Sequence, residues 1–491
     1  MHRVAKVSVI STILMAGCLL WILALAPKAS AIPAFSRKYQ TSCATCHNNY
    51  PELNDFGEAF KKNGFKFPMD DDSFVKEPPV LLGAKAQKEA FPNAIYPGEL
   101  PGSIPIAFRY TGNFNYNSKQ PDALAATAFT PRTDLFVPNT FTIIAAGNFG
   151  QNIAFWIDDD ISAAGSGADG GLGDGYLKFD VSHYLHLPSR VFNIRFGQFE
   201  LDLPFSQART VYPSAYDIYG QTNVALPLVP PQFFTTNNSF VLGTPQRGIE
   251  IGGYANHENF SWSVALNDGT NSNYGAGSQI FTRNTKDVYV RVSQKFNLER
   301  DPQSRNAVQA AGTTGPHDHT SIRVGGFYYY GANESNFGGG LFGFNGIIKD
   351  PFYRAGADLR FRYRNKMEIF GLGMVGHDNN HLVDTSVQTI NGAPPVTYTG
   401  GFVGSNFWIH PWLIAYMRYD FVNSPTDFAA GVSQYRTRNR FSPGLQILVR
   451  ANVKVIGEYQ YTWRQPYTDP TSGNTLFFRP NVFVAGIDYA F

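Results

Sequence analysis

Cys43-Ala44-Thr45-Cys46-His47 is the stretch of this chain whose residue types and spacing point most directly to chemistry. Two thiols three residues apart, with an imidazole directly after the second, admit three readings. A thioredoxin-like redox pair needs a strand before it and a helix after it within a βαβ unit, and no such pattern surrounds these residues. A zinc site needs a second ligand pair, and the only other cysteine is Cys18, in the amino-terminal apolar run. Covalent attachment of one c-type haem uses every residue: Cys43 and Cys46 add to the vinyl groups, and His47 reaches the iron as proximal ligand. Met69 is a candidate distal ligand, in competition with water, an open position or a histidine from elsewhere in the chain.

The compartment agrees with that chemistry. His2, Arg3 and Lys6 form a basic head, an apolar run follows from Val7 to Ala26, and Ala29-Ser30-Ala31 is a small-x-small cleavage site, so residues 1–31 read as a secretory signal. A membrane anchor and a lipoprotein site at Cys18 are the competing readings; Ala29-Ser30-Ala31 just downstream disfavours the first, and the second would leave Leu19 to Ala26, half the apolar segment, beyond the cut. Cleavage removes Cys18 along with Arg3, Lys6 and Lys28, so 40 Lys and Arg against 38 Asp and Glu become 37 against 38. A near-neutral chain has no electrostatic case for nucleic-acid binding.

The elements around the motif suit a small cofactor-holding unit over 32–75. Pro51 is predicted as the first helical residue, Leu53, Phe56 and Phe60 share a face, and Gly64 is the stop. Lys76 to Pro105 holds six prolines in thirty residues, a linker over 76–103 or an extended, packed crossing.

Beyond it, 104–491 consists of short alternating segments. In Tyr353 to Arg364, Ala355, Ala357, Leu359, Phe361 and Tyr363 fall on one face and Arg354, Asp358, Arg360, Arg362 and Arg364 on the other. Period two with one oily and one charged face predicts a strand between two media. Aromatics at 15%, with 26 Tyr and 41 Phe, and a terminal Phe491 heading an every-second-place alternation favour an all-β transmembrane barrel over a soluble sandwich. Sixteen antiparallel strands are predicted, from 104–116 and 140–148 through 191–202 to 481–491. The short joints at Gly150, Leu187 to Ser189, Asn365, Pro411 and Ala451 share the end that holds both barrel termini, expected to be periplasmic; Leu298 to Thr320 is a long connection on that same side. The expected location is the bacterial outer membrane, with the α-helical haem domain at the periplasmic mouth or inserted to fill the lumen.

Several polar groups are candidate sites. His377, Asp378 and His381 on an outer loop, and Asp158-Asp159-Asp160 at the same face, suit Fe(II). His317-Asp318-His319 falls on the periplasmic side as a candidate docking patch, and Asp70-Asp71-Asp72 reads as a solvated turn. Arg354, Arg360, Arg362 and Arg364 suit either an anion pathway or a wall paired with acids of the amino-terminal unit.

Phe35-Ser36-Arg37, the Cys43 to His47 motif, and Pro51, Leu53, Asn54, Phe56, Gly57, Phe60, Lys61, Gly64 and Phe65 together resemble the start of the fused outer-membrane monohaem cytochrome-porins. The likeness is specific over about residues 33–67 and architectural thereafter. It implies a haem domain plugging a barrel, and single electrons passing from an extracellular donor, Fe(II) in the iron-oxidase members, to periplasmic cytochromes. The sequence departs from those members in having Asn48-Asn49-Tyr50 where a further histidine is expected. The competing function is a solute or anion porin with a haem-containing plug, because Phe192 to Ser206 broadly resembles segments of phosphate-type porins. A third is the same conduit run outward to an extracellular acceptor.

Overall fold

The structure is a computed structural model. It describes residues 34–67, 71–81, 89–93, 99–102, 104–118, 132–150, 152–163, 171–188, 190–220, 233–235, 240–255, 259–269, 285–298, 320–336, 347–364, 366–379, 381–384, 389–392, 395–423, 438–463, 466–468, 475–477 and 481–491. The signal segment 1–31 lies outside these residues, as do Met69 and His317-Asp318-His319.

The alternating segments form one closed antiparallel barrel of sixteen strands. They are β1 (Ile106–Asn117), β2 (Thr133–Phe149), β3 (Ile153–Ala163), β4 (Gly171–Asp180), β5 (Asn193–Phe199), β6 (Gln246–Ala255), β7 (Phe260–Asn267), β8 (Asp287–Asn297), β9 (Ser321–Asn336), β10 (Ile347–Tyr363), β11 (Met367–Asp378), β12 (Val396–His410), β13 (Leu413–Asn423), β14 (Arg438–Arg450), β15 (Val453–Thr462) and β16 (Val482–Ala490). Each pairs with its sequence neighbours, and β16 returns to β1 with Ala490 opposite Arg109. Phe491 completes the seam: it exchanges backbone hydrogen bonds of 2.7 and 2.9 Å with Phe108, and the two rings stack.

Alternation sorts the side chains as two media require. On β10, Leu359 and Tyr363 are 46% and 41% exposed on the outside, whereas Arg354 is 1% and Arg360 and Arg362 are 7% exposed on the inside. An apolar exterior around a charged interior is the architecture of outer-membrane porins. The tight reversals near Gly150, Arg364, Pro411 and Ala451 share the end where β1 begins and β16 finishes. The long connection on that side starts as a closed hairpin, with Leu298 N donating to Thr320 O at 2.9 Å.

Several strand boundaries differ from expectation, and two of the differences have a visible cause. β2 begins at Thr133 instead of 140, because it continues to pair with β1 past an irregularity between Thr111 and Asn113. β5 ends at Phe199 instead of 202, because there the chain turns into the lumen. Of the segment between Phe199 and Gln246, the described parts build an inner core. Phe205, Tyr212 and Tyr216 pack against Phe370 and Phe402 of the wall, with ring centroids 4.3 to 6.0 Å apart. Arg418 donates to Ser214 Oγ at 3.0 Å, and Arg440 pairs with Asp217 at 3.3 Å.

The amino-terminal unit has helices α1 (Ala34–Tyr39), α2 (Asp55–Lys62) and α3 (Asp71–Phe74), a 3-10 turn at Cys43–Thr45, and a hairpin pairing His47–Asn49 with Glu52–Leu53. Pro51 is therefore not the first helical residue. Glu52 and Leu53 are taken by the hairpin, and Asn54 starts α2 by accepting a 2.8 Å hydrogen bond from Gly57 N, a cap that contributes about 1 kcal/mol. Asp55 and Glu58 in the first turn and Lys61 and Lys62 in the last oppose the helix dipole. Gly64, at φ +66°, ends the helical run as expected, and Phe65 N closes back on Phe60 O at 2.9 Å. After α3 the chain is an extended crossing where described: Lys76 N donates to Lys38 O at 2.8 Å, and Val80–Leu81 pairs with Glu99–Leu100.

Candidate functional site

The motif lies on the 3-10 turn and the strand after it. Ser42 Oγ accepts from Ala44 N at 3.3 Å, and Cys46 N closes on Cys43 O at 3.1 Å, which brings both sulfurs onto the wall of one cavity. Helix α2 crosses directly behind. A Cβ on Gly57 would stand 2.1 Å from Cys46 O, so that crossing requires glycine.

His47 is fixed from one side. Its Nδ1 lies 3.2 Å from both Pro51 O and Glu52 O, acceptors that require the proton on Nδ1 and leave Nε2 as the free lone pair. Burial holds the imidazole pKa down to about 4, so the ring is neutral, the form that binds a metal. Burial, then the nearby Cys43, pushes the Cys46 thiol up to about 12, the opposite of what a reactive dithiol needs.

The cavity is about 550 Å³, within the roughly 300–1,000 Å³ range of cofactor sites. Cys43, Cys46 and His47 line it, with an apolar wall that includes Phe60, Phe65 and Phe67. These residues offer groups that a covalently attached macrocycle would use: two sulfurs, a neutral imidazole with a free nitrogen and an aromatic wall on one side. Among the described residues lining the cavity there is no second histidine and no methionine.

The other candidates are distributed differently. His377 and Asp378 are adjacent on β11, so their side chains leave opposite faces. His377 stacks on Tyr353 and bonds Thr397 Oγ1 at 2.7 Å, while Asp378 points inward to Arg354 at 2.9 Å. The structure does not bring this pair into one ligand set; the side chain of His381 lies outside the described residues. Asp158 and Asp160 line the cavity itself, whereas Asp159 is exposed. Asp158 is held by Trp156 Nε1 at 2.7 Å. Asp71 accepts from Tyr39 Oη at 2.6 Å and Phe67 N at 2.7 Å, which makes it a fold-holding contact. Among the described residues no group of three His, Cys, Asp or Glu could hold a metal ion.

The arginine stripe separates into two roles. Arg360 and Arg362 face α2: Arg362 meets Asp55 at 2.7 Å and Arg360 meets Glu58 at 3.2 Å, joined by Arg323 at 3.3 Å and Lys295 at 3.1 Å from Asp55. Arg354 serves Asp378, and Arg364 follows the last residue of β10. The amino-terminal unit reaches other parts of the wall too, through Lys38 to Asn148 at 2.8 Å, Asn49 to Gln446 and Lys454 to Tyr50 O.

No family model and no curated protein matches this chain. Solved structures that it resembles include an outer membrane channel and porins. Salmonella typhi OmpF in complex with daunomycin is 11% identical over 79% of this chain and 97% of that one, with a TM-score of 0.46. An anion-selective porin from Comamonas acidovorans is 10% identical over 79% and 99%, with a TM-score of 0.47, and the outer membrane channel DcaP of Acinetobacter baumannii is 11% identical over 79% and 96%, with a TM-score of 0.42. The barrel assignment rests on the strand pairing itself.

Composition and periodicity left other parts of the site unseen. Lys61, Arg109 and Arg209 all line the cavity, from α2, β1 and the inward segment. The only sequence signal for the inward segment was the spacing of Tyr212, Tyr216 and Tyr219 in a stretch otherwise read as loop.

Proposed function

We propose that this chain is an outer-membrane electron carrier. One covalent c-type haem on Cys43 and Cys46, with His47 as iron ligand, moves single electrons between an extracellular donor, with Fe(II) as the favoured chemistry, and a periplasmic carrier. The observation that carries the reading is the orientation of His47: its Nδ1 is committed to two backbone carbonyls at the wall of a large cavity that also holds both sulfurs. The haem, when bound, supplies the one-electron couple. The protein's share is to hold the imidazole neutral and oriented, keep water from the aromatic wall, and seat the unit as a plug through the acids of α2.

A second reading, a solute or anion porin with a plug, draws support from the charged interior. The packed inner core and the ion-paired α2 favour the conduit, since both occupy the lumen a solute would need.

The deciding experiment is the visible spectrum of detergent-purified, air-oxidised protein before and after anaerobic ferrous iron. Growth of a sharp reduced α band is expected. Absence of any covalently bound haem would end the electron-carrier reading. An oxidised haem that only dithionite reduces would remove Fe(II) as donor.

A further inference from the structure

Three cations from three elements converge on the cavity of the Cys43 to His47 motif, and one of them has no ion-pair partner among the described residues. Arg109 on β1 is held by Asp488 at 3.0 Å. Arg209 on the inward segment is held by Glu200 at 3.0 Å and Asp174 at 3.4 Å. Arg109 also donates to Ala208 O at 3.3 Å, which keeps it next to the backbone that carries Arg209. Lys61 is different. Its neighbour Lys62 takes Asp202 at 2.9 Å, but residue 61 leaves α2 about 100° around the axis. Among the described residues no carboxylate lies within ion-pair distance of the Lys61 ammonium.

Lys61 is half-buried. Lys61 borders both the large cavity and a smaller charged one of about 100 Å³ between α2, the inward segment and the wall. Burial, then the nearby Arg209, holds its pKa down to about 8, against the opposing pull of Glu200 and Asp174. Partial withdrawal of a cation from water without an ion-pair partner carries a cost. An occupant that brings carboxylates into the cavity removes that cost, and a haem carries two carboxylate arms.

We propose that Lys61 pairs with a carboxylate arm of the haem attached at Cys43 and Cys46, with Arg209 and Arg109 bordering the same edge, so that α2 orients the cofactor and sets its potential. This rests on the haem reading above. The inward segment then acts on the cofactor through Arg209, and Lys61 is a positioning residue.

The test uses full-length protein in detergent, with covalent haem measured per chain and the midpoint potential measured by spectroelectrochemical titration. In Lys61→Met the arm loses its opposing charge, which favours the ferric state. The expected result is unchanged haem content with about a tenfold shift in the ferric/ferrous equilibrium, a fall of roughly 59 mV for a one-electron couple. Lys61→Arg should restore the potential, which a packing role would not require. Lys61→Gln keeps a polar tip without charge, so it should show the same fall if the methionine variant does not fold. Normal haem content with an unmoved potential in the folded neutral variant overturns the inference. Absence of covalent haem from the unaltered chain overturns the function beneath it, so the two failures are separable.

Discussion

At the scale of single residues, Gly57 is the contact most sensitive to one added carbon. A methyl there would stand 2.1 Å from Cys46 O and 3.0 Å from Leu53 Cδ2, and a backbone carbonyl cannot step aside as a flexible side chain can. Gly57→Ala should cost about 1–3 kcal/mol in the amino-terminal unit and displace the motif. The readouts are thermal unfolding followed at the haem band and haem per chain; an alanine variant with full haem content and unchanged melting would show that α2 can retreat freely. The Cys43 to His47 grouping was legible because its residues are adjacent in sequence. Lys61, Arg109 and Arg209 were not, because they meet only after a helix, a strand and a loop have been placed. The paired reading of His377 and Asp378 failed for the opposite reason: neighbours in sequence are on opposite faces of a strand.

At the scale of elements, α2 is docked by charge. Asp55 faces Lys295, Arg323 and Arg362, so Asp55→Asn leaves three cations short of an acid and should weaken docking by about 3–5 kcal/mol. Earlier protease cleavage in the amino-terminal unit, with the barrel intact, would report it. Acid should act on the same clamp. Burial raises the Glu58 carboxyl, but Arg323 and Arg360 outweigh that and hold its pKa below the ordinary 4.5. A depressed carboxyl contributes stability that is complete above about pH 4.5 and is lost as pH falls through its folded value. Protease resistance should therefore hold near neutrality and decline in acid, and Glu58→Gln should flatten the acid limb; identical acid profiles for the two proteins would remove Glu58 from the clamp. The strands were readable because each separates oil from charge, which imposes period two on residues such as Leu359 and Arg360. The inward segment has aromatics on several sides, since Tyr212 and Tyr216 meet both the wall and one another, and so it shows no single period. Pro51 misled the helix start because the hairpin claimed Glu52 and Leu53 first.

For the whole molecule, the question is what a sixteen-stranded barrel does with a lumen wide enough for water. Here two pieces of the chain occupy it, joined to one another by Lys62 and Asp202. The amino-terminal unit sits among Lys295, Arg323, Arg360 and Arg362 toward the short-turn end, and the aromatic inward segment is tied to Arg418 and Arg440 farther along. Either piece alone obstructs the pore, so the full chain in a planar bilayer should pass almost no current, and deleting residues 204–243 alone should change little. Combining that deletion with Asp55→Asn and Glu58→Gln should open the barrel. Because the cations of the wall then lose their acids, the current should favour anions, as a positively lined passage does. The order of the lesions makes the argument sharp. If the unaltered chain already conducts as freely as the combined variant, neither piece is a seal, and the porin reading displaces the electron conduit. If conductance appears only when both are disturbed, the charged interior is a docking surface, and the porin reading loses its open passage.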